Sequence, residues 1–241
     1  DFDIAADTGD IIPELAHLLE DMSSHRLYDE CQKLFGAGHA APLLPLLQDY
    51  GLFEPLFPEA VLHPCQELWM LTAESTDDRI AIGKGINPAF FFAALLWGPA
   101  QFRQQSLCDE GTPPVPAWQQ ASQQTLSIQQ TRTAIPRHIA QVIRDIWEMQ
   151  PRLETPRPRQ VEAMAQNERF RAAYDFLVLR EQAGEDTCGM GAWWTRWQDA
   201  DPGLQVEMQR ALESREREQA TGGGARKPRR RRKPRAKPSP T

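Results

Sequence analysis

The chain has 241 residues, enough to bury a sizeable core in one large domain or two small ones. It has 27 basic and 33 acidic residues, and nine of the basic ones fall within residues 226–237 with no acid among them. The remaining 18 basic residues are outnumbered by the 33 acids, so an acidic body is followed by a basic tail suited to a polyanion. No stretch approaches the ~20 apolar residues of a membrane span, and none is typical of a secretory signal.

The four cysteines have no close spacing, which excludes the patterns of a zinc site and of a disulfide framework. They are expected to be reduced thiols of a cytoplasmic protein. The chain starts at Asp1 rather than at a methionine, so we expect it to be a piece of a longer protein.

The first third of the chain has helical periodicity. A helix that opens at Pro13 is predicted to turn Leu15, Leu18, Leu19 and Met22 to one buried face. A second helix follows Ser23 or Ser24 and ends near residues 36–38, and a third begins near residue 43 and stops at Gly51. Residues 59–73 are predicted to be helical with a break at Pro64, and a separate short helix is predicted to open at residues 76–80.

The longest apolar run lies at the centre of the sequence, from Ala89 to Trp97. Asn87 can cap a helix there, Pro88 fits its first position, and Gly98 and Pro99 are predicted to end it. Because the run has no polar face, we expect a core helix wrapped on all sides. A ligand pocket lined by residues 90–92 is the minor alternative.

The second half is also helical in pattern. Residues 118–131 predict a glutamine-rich, mostly solvated helix, and the next begins at Ile135-Pro136 with an apolar stripe. Further helices are expected at 160–165, 169–181 and around Trp193, Trp194 and Trp197, followed by a charged one at 205–218. No alternating β pattern of useful length occurs, which predicts an all-α fold.

Three short motifs resemble functional sites, but each lacks essential parts. The Asp1-x-Asp3 pair lacks the strand, the third acid and the phosphate-binding turn of a two-metal site. The sequence GKG at 83–85 lacks the rest of a phosphate-binding loop. His63 and Cys65 lack two further ligands for a metal. We predict no metal site in this chain.

Ordered blocks of sequence carry a family resemblance. They are IPELA at 12–16, RLYDE at 26–30, KLF at 33–35, LFEPLFP at 52–58, DRI at 78–80, NPAF at 87–90, IPR at 135–137, RDIW at 144–147 and RFRAAYDFL at 169–177. Together with a tryptophan pair and an Arg/Pro-rich end, this series resembles the bacterial poly(A) polymerases, which are class II nucleotidyltransferases.

The resemblance implies a domain plan and an activity. Residues 1–58 would be the remainder of a helical neck, 59–131 a body, 132–219 an RNA-binding leg, and 220–241 a disordered Arg/Pro-rich tail. The catalytic head would lie upstream, so this chain would hold no catalytic residue and bind no cofactor. With ATP and Mg²⁺, the intact enzyme would add AMP to single-stranded RNA 3′ ends, whereas this chain alone would be inactive.

The resemblance also implies roles for particular residues. Arg26 and Glu30, four apart on one helix, would support the nucleotide site, although an ordinary surface ion pair explains them equally well. Arg137, Arg144, Arg169 and Arg171 would contact RNA. The tail cations would also do so, or would serve only as a solubilising end: Arg226, Lys227, Arg229, Arg230, Arg231, Arg232, Lys233, Arg235 and Lys237.

Two other readings stay open at this point. A CCA-adding tRNA nucleotidyltransferase belongs to the same superfamily, and a non-catalytic helical RNA-binding protein would share the helical pattern and the basic tail. RNA is the expected partner in every case, a membrane is not, and protein partners in RNA decay stay unassigned.

Overall fold

The structure is a computed structural model that describes the backbone of residues 4–222 and the side chains of residues 4–214. Within these residues every regular element is a helix, which confirms the all-α prediction. The first half consists of α1 (Ala6–Gly9), α2 (Ile12–Leu15), a 3₁₀ helix (Ala16–Asp21), α3 (Ser24–Gly36), α4 (Ala40–Asp49), α5 (Phe53–Leu56), α6 (Pro58–Leu62) and α7 (Gln66–Ala81).

The second half continues without a strand in the described range. It consists of α8 (Pro88–Leu95), α9 (Trp97–Asp109), α10 (Pro114–Arg132), α11 (Arg137–Glu154), a 3₁₀ helix (Pro158–Gln160), α12 (Val161–Ala165), α13 (Phe170–Gln182), α14 (Met190–Asp199) and α15 (Pro202–Gly222). No helix in this range is both long and apolar enough to cross a membrane.

The N-terminal segment differs from the expected buried helix. It forms α2 and a 3₁₀ helix, and Leu15, Leu18 and Met22 are 50%, 47% and 38% exposed. Ile11 is also exposed and lies in the same group of side chains. The helical periodicity predicted that Leu15, Leu18 and Met22 share a buried face, but within the described residues nothing covers these three side chains.

Helix α7 runs unbroken where a second, shorter helix was predicted to open. The side chains at residues 76–78 that predicted a helix start bond elsewhere. The Thr76 hydroxyl donates to the Thr72 carbonyl at 2.7 Å. The Asp77 carboxylate accepts from the backbone N–H groups of Ala40 and Ala41, at 2.8 and 2.9 Å. Asp77 therefore caps the start of α4, 36 residues earlier in the chain, and does not begin a helix of its own.

Helix α8 begins as predicted and ends earlier. The Asn87 side-chain oxygen accepts from the Ala89 N–H at 3.0 Å, and Pro88 holds the first position. The helix stops at Leu95, and Gly98 and Pro99 lie in the first turn of α9 instead of ending α8. A proline fits there because the N–H groups of a first turn have no partner within the helix.

Helix α10 is less solvated than its glutamine content suggested. One face is buried, and it includes Trp118, Thr125, Leu126 and Gln129. The Gln129 amide donates to the Leu56 carbonyl at 2.8 Å and to the Thr133 hydroxyl at 2.9 Å. These two bonds satisfy the amide nitrogen, whereas the buried amide oxygen has no hydrogen-bond partner among the described residues.

Two hydrophobic clusters form the core. The first joins α3–α11 with part of α13, and the second joins the end of α11 with α12–α15. Helices α11 and α13 therefore contribute to both. The proposed limits of neck, body, leg and tail at residues 58, 131 and 219 stay a prediction.

A buried arginine lies where the two clusters meet. Arg180, on α13, is 3% exposed, and its guanidinium is 2.7 Å from both Glu154 and Glu185. It also donates to the Gln150 side chain at 2.8 Å and lies over the Trp97 ring, 4.4 Å from its centroid. This arginine cluster links α9, α11 and α13 and the turn after α13.

Glu185 completes the arginine cluster from the other side. Its carboxylate accepts from Trp97 Nε1 at 3.1 Å and from Gln101 at 2.6 Å. Burial by itself would raise the pKa of Glu185, but the hydrogen bonds and charge of Arg180, with the Trp97 and Gln101 bonds, outweigh it and lower that pKa.

This lowered pKa makes the fold sensitive to acid. The unfolded chain protonates Glu185 at an ordinary glutamate pKa, and the folded chain only at a lower pH. The carboxylate therefore stabilises the fold above the ordinary value of about 4.3, and this contribution is lost as the pH falls below it. We expect Glu185→Gln to flatten the decline of the urea midpoint between pH 6 and pH 3.5. Parallel curves for the two proteins would contradict this.

Candidate nucleic-acid interface

Two of the arginines assigned to RNA lie on α11, off its buried stripe. Arg137 is the first residue of the helix and is exposed, and Arg144 lies two turns later and is half-buried. Gln141 lies between them, and its side-chain oxygen accepts from Arg144 at 2.8 Å. A spacing of seven residues puts the two arginines on the same face of the helix.

The other two arginines lie at the start of α13. Arg169 is 3.3 Å from the Asp145 carboxylate on α11 and 3.4 Å from Glu168. Arg171 is 3.0 Å from Asp175, one turn along its own helix. Gln141 also donates to Asp145, at 2.7 Å, so Arg144 and Arg169 are joined through Gln141 and Asp145. The structure thus brings Arg144, Arg169 and Arg171 to one region.

A cleft of about 270 Å³ lies beside this region, between α7, α8, α11 and the start of α13. Its polar rim includes Arg79, Arg169 and Arg171, and its apolar wall includes Phe90 and Val142. Arginines next to an accessible apolar wall can contact a phosphate and a flat ring at the same time.

The carboxylate of Asp175 lies on the rim of this cleft. Burial raises its pKa above the usual aspartate value, although the charge and hydrogen bond of Arg171 and the charge of Arg79 act in the opposite direction. Asp175 therefore lies in a partly desolvated environment between two arginines, where a hydrogen bond from a ligand would be stronger than in water.

The predicted pair of Arg26 and Glu30 is not formed. Glu30 is 2.9 Å from Lys33, and Arg26 is exposed, with its backbone N–H bonded to the capping hydroxyl of Ser23. Within residues 4–214 no ion pair joins Arg26 to Glu30. Glu30 pairs instead with Lys33, which lies on the same face of α3, one turn further along. The supporting role of these two residues stays a prediction.

The nine tail cations, residues 226–237, lie outside the described residues, as do Asp1 and Asp3. Among the side chains that the structure describes, no three His, Cys, Asp or Glu groups are arranged to hold a metal ion. Burial raises the pKa of the Cys31 thiol to about 12, so this side chain is an inert part of the core.

Sequence reasoning missed Arg79 and assigned Phe90 only to a minor alternative. Arg79 is exposed on α7, and its guanidinium donates to the Gly85 carbonyl at 3.0 Å. Arg79 lies in the DRI block at 78–80, which is part of the family resemblance but did not indicate a binding role for this residue. Its approach to Arg169 and Arg171 depends on the packing of α7 against α13, about 90 residues away in sequence.

Comparison with known proteins gives two family matches. Residues 110–237 match the family described as "Polymerase A arginine-rich C-terminus", and residues 1–62 match "Probable RNA and SrmB- binding site of polymerase A". The first match covers more than half of the chain and includes α10–α15 and the basic tail.

Curated relatives agree with the family matches. The chain is 36% identical to poly(A) polymerase I of Haemophilus influenzae over 196 residues, which cover 78% of this chain and 43% of that protein. It is 32% identical to poly(A) polymerase I of Escherichia coli O157:H7 over 220 residues, which cover 87% of this chain and 47% of that protein. The chain spans about half the length of the curated relatives it matches.

Proposed function

The chain belongs to the poly(A) polymerase family, and we propose that it is the RNA-binding part of an enzyme that adds AMP from ATP to RNA 3′ ends. The observation that carries this proposal is the run of nine cations at residues 226–237, inside the arginine-rich match. The names of the relatives favour polyadenylation over the CCA-adding alternative.

Within this proposal the catalytic residues belong to a part of the protein that this sequence does not contain. ATP and Mg²⁺ would bind there, because two metal ions suit a reaction that activates a hydroxyl and releases pyrophosphate. A cytoplasmic location is part of the proposal, supported by four free cysteines.

The RNA would be held by charge along its backbone and without sequence readout. Prolines at 228, 234, 238 and 240 disfavour a helix in the tail, which suits it to follow a single strand. The four arginines of α11 and α13 would extend this contact onto the folded part. Arg26 and Glu30 would brace the nucleotide site of the intact enzyme.

The test is the salt dependence of RNA binding. If about six tail cations meet phosphates, the affinity of the full chain for a 20-nucleotide poly(A) RNA should fall on the order of 10²–10³-fold between 50 and 200 mM salt. Deletion of residues 222–241 should weaken binding at 50 mM salt at least tenfold and flatten the salt dependence. Fluorescence anisotropy measures both.

A control separates the charge of the tail from its length. A chain that keeps the tail but has glutamine at all nine cationic positions should behave like the deletion. If neither change affects affinity, the RNA contact would belong to Arg137, Arg144, Arg169 and Arg171 instead. If the full chain fails to bind RNA at 50 mM salt, the proposed function is wrong.

A further inference from the structure

We propose that the cleft between α7, α8, α11 and α13 holds one unpaired nucleotide of the bound RNA, with its base against Phe90 and its phosphate against the arginines of the rim. This inference rests on the RNA-binding function proposed above and adds a site where a base, and not only the backbone, is contacted. Nothing in the comparisons assigns a ligand to this cleft.

Phe90 differs from its neighbours in the apolar run by its accessibility. From Ala89 to Ala100 every residue is buried except Phe90, which is half-buried and lines the cleft. Its ring meets Phe176 edge to face, with the centroids 6.0 Å apart, so the core holds the ring in place. A fixed, accessible aromatic ring is the kind of platform on which single-stranded nucleic acids stack their bases.

The cleft next to Phe90 has a size and an apolar lining that suit a single base. The cleft of about 270 Å³ is large enough for one nucleoside and too small for a duplex. Val142 of α11 and Ala172 of α13, both half-buried, continue the apolar surface next to the ring. A base that leaves water for this wall gains from burial as well as from stacking.

The arginines of the rim keep hydrogen-bond donors available for a phosphate. A guanidinium has five N–H groups. Arg79 uses one of them on the Gly85 carbonyl, and Arg171 uses one on Asp175. Arg169 is held by Asp145 and Glu168, and Glu168 is an 81% exposed partner that a phosphate could replace.

The acidic groups of the rim do not exclude an anion. Among the residues that line the cleft, Glu168 and Asp175 are outnumbered by Arg79, Arg169 and Arg171. Before RNA arrives, Glu168 holds Arg169 and Asp175 holds Arg171. Asp175 also offers a carboxylate acceptor in a partly desolvated position, which suits the amino group of adenine or cytosine.

The test uses Phe90→Leu in the full chain, since leucine keeps an apolar side chain and removes the aromatic face. Binding is measured at 200 mM salt, where the contribution of the tail is smallest, with a 12-nucleotide poly(A) RNA and with an abasic strand of the same length. We expect Phe90→Leu to lower affinity for the poly(A) RNA about tenfold and to leave the abasic strand unaffected.

The matched control is Phe102→Leu, which changes another accessible aromatic residue, 53% exposed on α9 and stacked on His63 outside the cleft. It should leave both affinities unchanged. Arg79→Gln, at an exposed position, gives a second measurement that does not disturb the core, and it should weaken binding of both strands. Equal affinity of wild type, Phe90→Leu and Arg79→Gln for the poly(A) RNA would overturn the inference.

The two proposals can fail separately. If the full chain binds poly(A) RNA but prefers it no more than the abasic strand, the cleft holds no base and the RNA-binding function stands. If the full chain binds neither strand even at 50 mM salt, the RNA-binding function fails together with the cleft.

Discussion

Replacing Arg180 with methionine should lower the free energy of unfolding by about 3–5 kcal/mol, because it removes the cation from a buried ionic cluster. The carboxylates of Glu154 and Glu185 would each lose a partner at 2.7 Å. The Gln150 oxygen would lose its donor, and the Trp97 ring would lose the guanidinium above it. Urea denaturation followed by circular dichroism measures the change.

The matched control for this variant is Arg196→Met on α14, which removes an exposed arginine by the same chemical change. Its effect should stay within about 0.5 kcal/mol. If Arg180→Met shifts the urea midpoint no further than Arg196→Met, the arginine cluster does not stabilise the junction of the two hydrophobic clusters.

Replacing Gly98 with alanine should cost about 3 kcal/mol, at the upper end of the usual range for overpacking. A β-carbon at this position would overlap the backbone oxygen of His63 and stand 2.9 Å from Sγ of Cys65. A backbone oxygen cannot rotate aside as a side chain can, so the segment between α6 and α7 would have to shift. Thermal and urea unfolding of the purified variant measure the loss.

Gly85→Ala is the control for this substitution. A β-carbon at residue 85 meets no atom within 4 Å, and the glycine there has no positive φ. The urea midpoint of Gly85→Ala should match that of the wild type. A Gly98→Ala protein with the same midpoint as Gly85→Ala would show that the 63–65 segment moves at little cost.

Local signals in the sequence predicted the helices well where the partner was also local. The cap at Asn87 and the end of α4 before Gly51 depend on neighbouring residues alone, and both are found. Asp77 does cap a helix, as its residue type suggested, but the helix is α4 and not one that begins at residue 77. A carboxylate can cap any helix start that reaches it in space. Sequence spacing does not contain that information.

Burial was harder to predict than helix formation. The spacing of Leu15, Leu18 and Met22 showed which residues share a face, but it could not show what covers that face. Conversely, the glutamines of α10 suggested solvent, whereas Gln129 finds partners inside the core. In both cases the outcome depends on what packs against the helix.

The candidate site was predicted only in part for the same reason. The resemblance supplied Arg137, Arg144, Arg169 and Arg171, each in a block that could be compared along the chain. The cleft needs Arg79 and Phe90 from helices far away in sequence, and only the packing of α7, α8, α11 and α13 brings them together.

The two helices shared by the hydrophobic clusters have a consequence for how the protein unfolds. Helix α11 places Ile143 in one cluster and Leu153 in the other, and α13 does the same with Phe176 and Leu177. Unfolding of either cluster would remove packing partners from the other, because both clusters share α11 and α13. The two should therefore unfold as one cooperative unit. The surface proposed to contact the RNA backbone and the helices that carry it would then be lost in a single transition.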